Sequence, residues 1–150
     1  MGVRKVITDT AQWKIVIFEL QGEEYGIEVS RVQSIERMLP LTRVPGAPRP
    51  DIAGVMNLRG KITPVIDLRL CLGVEAPPYD RQTRILVVVG NDGVIGLIVD
   101  RANDLVDITE REIEEIPTAH EDETYGFFQG VVKKDDRMIT LLETDQVLQR

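Results

Sequence analysis

The chain has 150 residues, 43% of them apolar and 29% charged, with a net charge of −7. That length and balance specify one globular domain able to bury roughly two thirds of its unfolded surface, and they exclude a disordered chain. The excess of acid disfavours phosphate backbones and anionic lipid, and no apolar run approaches the ~20 residues that span a bilayer, so nucleic acid and direct membrane insertion are not expected.

Residues 1–12 carry no apolar stretch of signal-peptide length, so a cytoplasmic protein is expected. Residues 14–18 then lead through Gln21-Gly22-Glu23-Glu24 into 25–27, the pattern of a hairpin. Residues 30–37 fit helix and strand equally. Residues 52–58 turn at Arg59-Gly60 into 61–68, a second strand pair, and 69–72 closed by Gly73 has the stop signal of a short helix. Cys71, the single cysteine, sits between Leu70 and Leu72 as a small buried hydrophobe in reducing surroundings. Ala76-Pro77-Pro78-Tyr79 reads as a connection.

The second half repeats this plan. Residues 84–89 run through Gly90-Asn91-Asp92-Gly93 into 94–99, where Gly and Asn supply the positive φ of a tight turn. Thr109-Glu-Arg-Glu112 is a capping box, and Pro117 limits the helix it starts to about two turns. Acid gathers at Glu110, Glu112, Glu114, Glu115 and again at Glu121, Asp122, Glu123, which reads as a solvated face or loop. A last strand pair, 127–133 and 137–143, turns at Lys134-Asp135-Asp136, and Thr144 opens a short closing helix over 145–148.

Residues 12–35 can be laid on 82–105 without a gap, matching Gln12, Ile15, Gly26, Val29 and Arg31 to Gln82, Ile85, Gly96, Val99 and Arg101. With a slightly larger offset Gly54-Val55 falls on Gly130-Val131, Lys61-Ile62 on Arg137-Met138, and Val65-Ile66-Asp67 on Leu141-Leu142-Glu143. A duplicated unit follows, each copy a small curled sheet of about five strands, the two sharing a central apolar layer. The continuous runs Val87-Val88-Val89 and Leu97-Ile98-Val99 fit strands buried on both faces.

Catalytic groupings are missing from the sequence. His120 has no second His or Cys at ligand spacing, Ser30 lacks a nucleophile-elbow glycine pattern, and no glycine-rich loop leads into a helix, so no metal, cofactor or nucleotide is expected. Glu23-Glu24 and Asp135-Asp136 fall on expected hairpin tips, where water keeps carboxylates ionised. An oligonucleotide-binding barrel would need a basic stripe with interleaved aromatics, and a small hydrolase would have to use Ser30 or Cys71. A binding module is what remains.

Glu23-Glu24-Tyr25-Gly26-Ile27, Gly54-Val55-Met56-Asn57-Leu58-Arg59-Gly60, Pro64-Val65-Ile66-Asp67-Leu68, Gly96-Leu-Ile-Val-Asp100 and Asp136-Arg137-Met138-Ile139, in this order and spacing, resemble the CheW family of chemotaxis coupling proteins from about residue 13 to 148. The resemblance implies a mainly β fold of two pseudo-symmetric, five-stranded, SH3-like β-barrel subdomains packed around a shared hydrophobic core, with few short helices. The expected subdomains are 13–76 plus the C-terminal helix 144–149, and 82–143. It further implies a non-enzymatic adaptor joining the cytoplasmic tip of chemoreceptors to the regulatory domain of histidine kinase CheA, recruited from the cytoplasm to membrane-associated receptor arrays. The same fold also serves sensory pathways other than flagellar chemotaxis.

Carried over from the family, a receptor helix lies in an apolar groove between the subdomains, which Val32, Ile35, Val99 and Leu105 would line with Arg59 nearby; Leu41, Val44 and Pro45 match kinase contacts. Without the resemblance the four apolar residues read as core. Arg59 fits either a contact or a brace for its tight turn. In the family, kinase contacts also come from the stretch after the capping box, but there this chain has Glu114-Glu115 and Thr118-Ala119 where some relatives carry a basic and an aromatic residue, a departure that counts against a contact.

Overall fold

The computed structural model describes residues 12–116 and 126–149, so His120 and the acidic run Glu121, Asp122, Glu123 lie outside the described residues. The first repeat supplies strands β1 (Gln12–Leu20), β2 (Glu23–Glu28), β3 (Val32–Arg37), β4 (Ile52–Leu58) and β5 (Lys61–Asp67), followed by helix α1 (Leu68–Leu72). The second supplies β6 (Arg84–Gly90), β7 (Gly93–Val99), β8 (Arg101–Thr109), β9 (Ile113–Glu114), β10 (Phe128–Lys134) and β11 (Arg137–Leu142), then helix α2 (Thr144–Leu148). Residues 30–37 resolve into the end of a 3-10 turn (Val29–Arg31) and all of β3. The capping box at Thr109 forms, but it opens a single 3-10 turn, Glu110–Glu112, rather than the expected two-turn helix. Pairing of the next two residues with β10 as β9 draws the chain out of helical geometry.

Sheet I has six strands in the order β8-β1-β2-β11-β10-β9, and sheet II has five, β3-β6-β7-β5-β4. An isolated bridge from Thr42 to Val55 occupies in sheet II the place that β9 takes in sheet I. The two orders are the same once each strand is replaced by its repeat mate. Sheet membership does not follow the division into 13–76 and 82–143: each sheet takes the opening hairpin of one repeat and the remaining strands of the other. Parallel pairing makes the junctions, β2 with β11 and β5 with β7. Helix α2 lies against sheet II, held by Arg31 Nη1 donating to Asp145 at 3.3 Å and Arg49 Nη1 donating to the Val147 carbonyl at 3.0 Å.

Both sheets curl. In sheet I, Arg137 at the start of β11 reaches Asp104 on β8, and in sheet II Arg59 in the β4–β5 turn reaches Glu36 on β3. Alternation along β1 then sends Ile15 and Ile17 into the hollow of sheet I, with Ile108, Val132, Ile139 and Leu141. Ile85, Val87 and Ile98 fill sheet II with Met56, Leu58 and Val65. The opposite faces of the same strands, Val16, Phe18, Leu20, Leu86, Val88, Leu97 and Val99 among them, meet as a third layer between the sheets. Strands buried on both faces account for the uninterrupted apolar runs.

Gly26 and Gly96, matched in the repeat, each face a barrel interior: an added Cβ would lie 2.4 Å from Ile15 Cγ2 in one and 2.7 Å from Ile85 Cγ2 in the other. Close packing of the curled strands, rather than an unusual φ, requires glycine at these two positions. Among the described residues, no helix is long and apolar enough to cross a membrane.

Candidate functional site

β3 and β8 carry matching bulges. On β3, Val32 pairs with Val88 but Ser34 with Val87, so Gln33 is the extra residue. On β8, Ala102 pairs with Phe18 and Leu105 with Val16, leaving Asn103 and Asp104 opposite Ile17. A bulge shifts the alternation, so residues three apart come onto one face. Cross-strand partners share a face, and Val88, Leu86, Phe18 and Val16 all point into the central layer. Val32 with Ile35, and Ala102 with Leu105, therefore extend that layer to an edge of each sheet.

Ile35 and Leu105 remain open there, at 45% and 55% exposure, while Val32 is half-buried against the central layer. Val99 differs from expectation. It lies in the central layer at 0% exposure and cannot line a groove; β7 is an interior strand flanked by β6 and β5, and both its faces are covered. Its repeat mate Val29, in the 3-10 turn before β3, is exposed instead. Sequence reasoning missed Val29 and Ala102, although the repeat pairing of Val29 with Val99 and of Val32 with Ala102 was the signal that could have raised them.

Arg59 adopts a left-handed φ of 49° in the β4–β5 turn and donates to Glu36 Oε2 at 3.3 and 3.1 Å. The pair sets its guanidinium beside β3, next in sequence to Ile35. Leu41, Val44 and Pro45 lie on the segment between β3 and β4. Leu41 is half-buried against the sheet II interior, whereas Val44 and Pro45 are exposed and border a hollow of about 520 Å³ with Arg43 and Ala47. Arg49 pins this segment, donating to Asp51 at 2.9 and 2.6 Å as well as to α2. Glu114 lies on β9 and Glu115 just after it, both exposed, while Thr118 and Ala119 lie outside the described residues.

Several ionisable groups are tied to one another. Arg69, 2% exposed, donates to both Asp67 oxygens, to Asp100 at 3.0 Å and to the Pro77 carbonyl at 2.8 Å, fastening the inter-repeat connection to β7. Burial opposes its charge, but the hydrogen bonds it donates to Asp67 and Asp100 outweigh that and raise the guanidinium pKa. Glu24 is on β2, not at a hairpin tip. A hydrogen bond from Arg137 holds its carboxyl below the usual range, and the same guanidinium lowers Asp104. Groups paired this way favour their charged forms, the reverse of a proton-transfer site poised near neutrality. Among the described residues, no group of three or more His, Cys, Asp or Glu is arranged to hold a metal ion.

A family model described as the CheW-like domain matches residues 14–150. The chain is 39% identical to the chemotaxis protein CheW of Bacillus subtilis, covering 91% of this chain and 87% of that one. To the chemotaxis protein CheW of Helicobacter pylori it is 34% identical, covering 89% and 79%. In three dimensions it is similar to the crystal structure of the scaffolding protein TtCheW from Thermoanaerobacter tengcongensis, with a TM-score of 0.81, 34% identity, and 91% and 88% of the two chains covered.

Proposed function

The chain belongs to the CheW family, and on that premise we propose that it is a non-enzymatic chemotaxis adaptor, coupling the cytoplasmic tip of chemoreceptors to the regulatory domain of the histidine kinase CheA. The observation that carries this reading is the pair Ile35 and Leu105: two large apolar side chains, open to solvent at matched register positions, both continuous with the layer between the sheets. An apolar stripe at such a seam suits one face of an amphipathic helix. The segment bearing Leu41, Val44 and Pro45 offers a separate surface for the kinase. Two surfaces on one packed body hold both partners in a fixed geometry at high effective concentration, and a change in one biases the other through that body.

Capture of the protein by a receptor-tip fragment and by the kinase regulatory domain, measured separately, tests the reading. Ile35→Glu and Leu105→Glu are expected to weaken receptor capture by about tenfold or more with kinase capture intact, since each places a charge in an apolar contact. Val44→Glu should do the reverse. Val99→Glu buries an unpaired charge and should abolish both along with the fold. Normal receptor capture by the Leu105→Glu protein would refute the seam.

A further inference from the structure

Beyond Ile35 and Leu105, each edge strand carries a charged residue at the same register position, which allows a direct comparison. On sheet I, Asp107 stands opposite Lys14, and the two form a 3.0 Å salt bridge. On sheet II the repeat mates of these residues are Arg37 and Arg84, again directly opposite one another. Such partners hold their Cβ atoms about 4.5–5.5 Å apart, and like charges in that position repel. Arg81 is a third arginine close in the chain, and its backbone carbonyl accepts from Arg84 Nη1 at 2.7 Å, as the Thr83 carbonyl does at 3.0 Å. Among the described residues no carboxylate forms a salt bridge with any of the three. The neighbouring acids are engaged elsewhere: Asp80 accepts from the Gln82 and Thr83 backbone N–H groups at 2.8 and 3.2 Å, and Glu36 accepts from Arg59.

The position gives this cluster its meaning. No bulge intervenes between Ile35 and Arg37, which pair in sequence with Leu86 and Arg84. The arginine pair therefore shares the face of Ile35 and begins about 7 Å farther along the strand, at ~3.3 Å per residue. The open stripe of Val32 and Ile35 ends in unanswered positive charge, whereas the stripe of Ala102 and Leu105 ends in a neutralised pair.

We propose that Arg37 and Arg84 are the anion-receiving end of the seam, and that the helix docking there is amphipathic and acidic, with a carboxylate side chain one to two turns beyond the residue that packs on Ile35. The proposal rests on the seam reading above and adds the chemistry of the partner. Two arginines side by side can share one carboxylate or hold two through charge-assisted hydrogen bonds. A polyphosphate chain fits less well, because the protein's overall negative charge repels an extended anion and leaves the neighbouring apolar stripe unused.

Arg84→Glu tests this without threatening the fold, because it puts a carboxylate opposite Arg37 as Asp107 stands opposite Lys14; its melting temperature should be unchanged or higher. The probes are a receptor-tip fragment and two synthetic amphipathic helices with the same apolar face, one flanked by glutamates and one by glutamines. The unaltered protein should bind the glutamate helix about five- to tenfold more tightly at low salt, the advantage shrinking above ~0.15 M salt as the Debye length falls below about 8 Å. The Arg84→Glu protein should lose that preference and bind the receptor fragment correspondingly less tightly. Equal binding of the two helices by the unaltered protein, or an undiminished preference after Arg84→Glu, overturns the proposal while leaving receptor capture, and hence the seam, standing. Failure of the unaltered protein to capture the receptor fragment at all brings down both. Inorganic phosphate competing as well as the glutamate helix would make the arginines a general anion site and overturn the assignment to a helix.

Discussion

At Glu24, Arg137 and Asp104, sheet I closes on itself with ions: Arg137 donates to Glu24 at 2.9 and 2.8 Å and to Asp104 at 3.2 and 3.0 Å, while Asn103 joins Glu19 to Glu24. The repeat mates in sheet II are Val94, Lys61, Ser34, Gln33 and Val89, and no such network forms there. Instead a cleft of about 360 Å³ opens, bordered by Ile62, Pro64, Val94, Ile95 and Leu148. Bulges, strand order and the barrel-facing glycines match between the sheets, because the curled backbone dictates them. Charge at the rim is not constrained by the backbone, and there the two copies have diverged.

The largest effect is expected where the repeats differ in a buried ion pair. α1 carries Arg69, enclosed with Asp67, whereas its repeat mate Asp145 on α2 forms a half-exposed pair with Arg31. Arg69→Ala strands a buried carboxylate and should cost about 3–5 kcal/mol in urea unfolding, far more than Asp145→Ala. A comparable loss from the two would mean that the helices are anchored alike. The shared frame is probed next: Gly26→Ala and Gly96→Ala each overpack a barrel and should each cost about 1–3 kcal/mol. Markedly unequal values would show that one barrel yields more easily than its copy.

The smallest effect concerns the latch of sheet I. Arg137→Met should cost at most about 1 kcal/mol at neutral pH, because the groups are partly solvated. Its signature is pH dependence. Glu24 and Asp104 have carboxyls held below their ordinary values, first by the Arg137 hydrogen bond, so their contribution is complete above the usual carboxylate range and is lost as the pH falls through the lowered values. Unfolding measured from neutral to acid conditions should show a shallower acid loss for Arg137→Met than for the unaltered protein. Identical profiles would remove the latch from the comparison.

The hairpins and the duplication were legible because they leave local marks: two-residue alternation, turn glycines, and apolar residues matched between the copies. The exchange of opening hairpins was not, since the parallel pairings of β2 with β11 and β5 with β7 join segments far apart in sequence. β8 carries no clear strand signal in the sequence, because its bulge at Asn103 and Asp104 breaks the alternation. At the site, Ile35 and Leu105 were readable as matched apolar positions, but Val99 was misassigned, because an apolar residue on an interior strand looks the same in sequence as one on a rim. Arg37 and Arg84 carried no signal, as their opposition exists only across strands.

Because each sheet needs strands from both copies, residues 12–67 cannot complete either barrel by themselves. During synthesis sheet II can close only once β7 has left the ribosome, and sheet I must wait until β11 at Leu142. A gene encoding a single copy would have yielded a closed body only as two chains trading their first hairpins. With both copies in one chain the trade is internal, and the two rims are free to differ, as Arg137 and its mate Lys61 do.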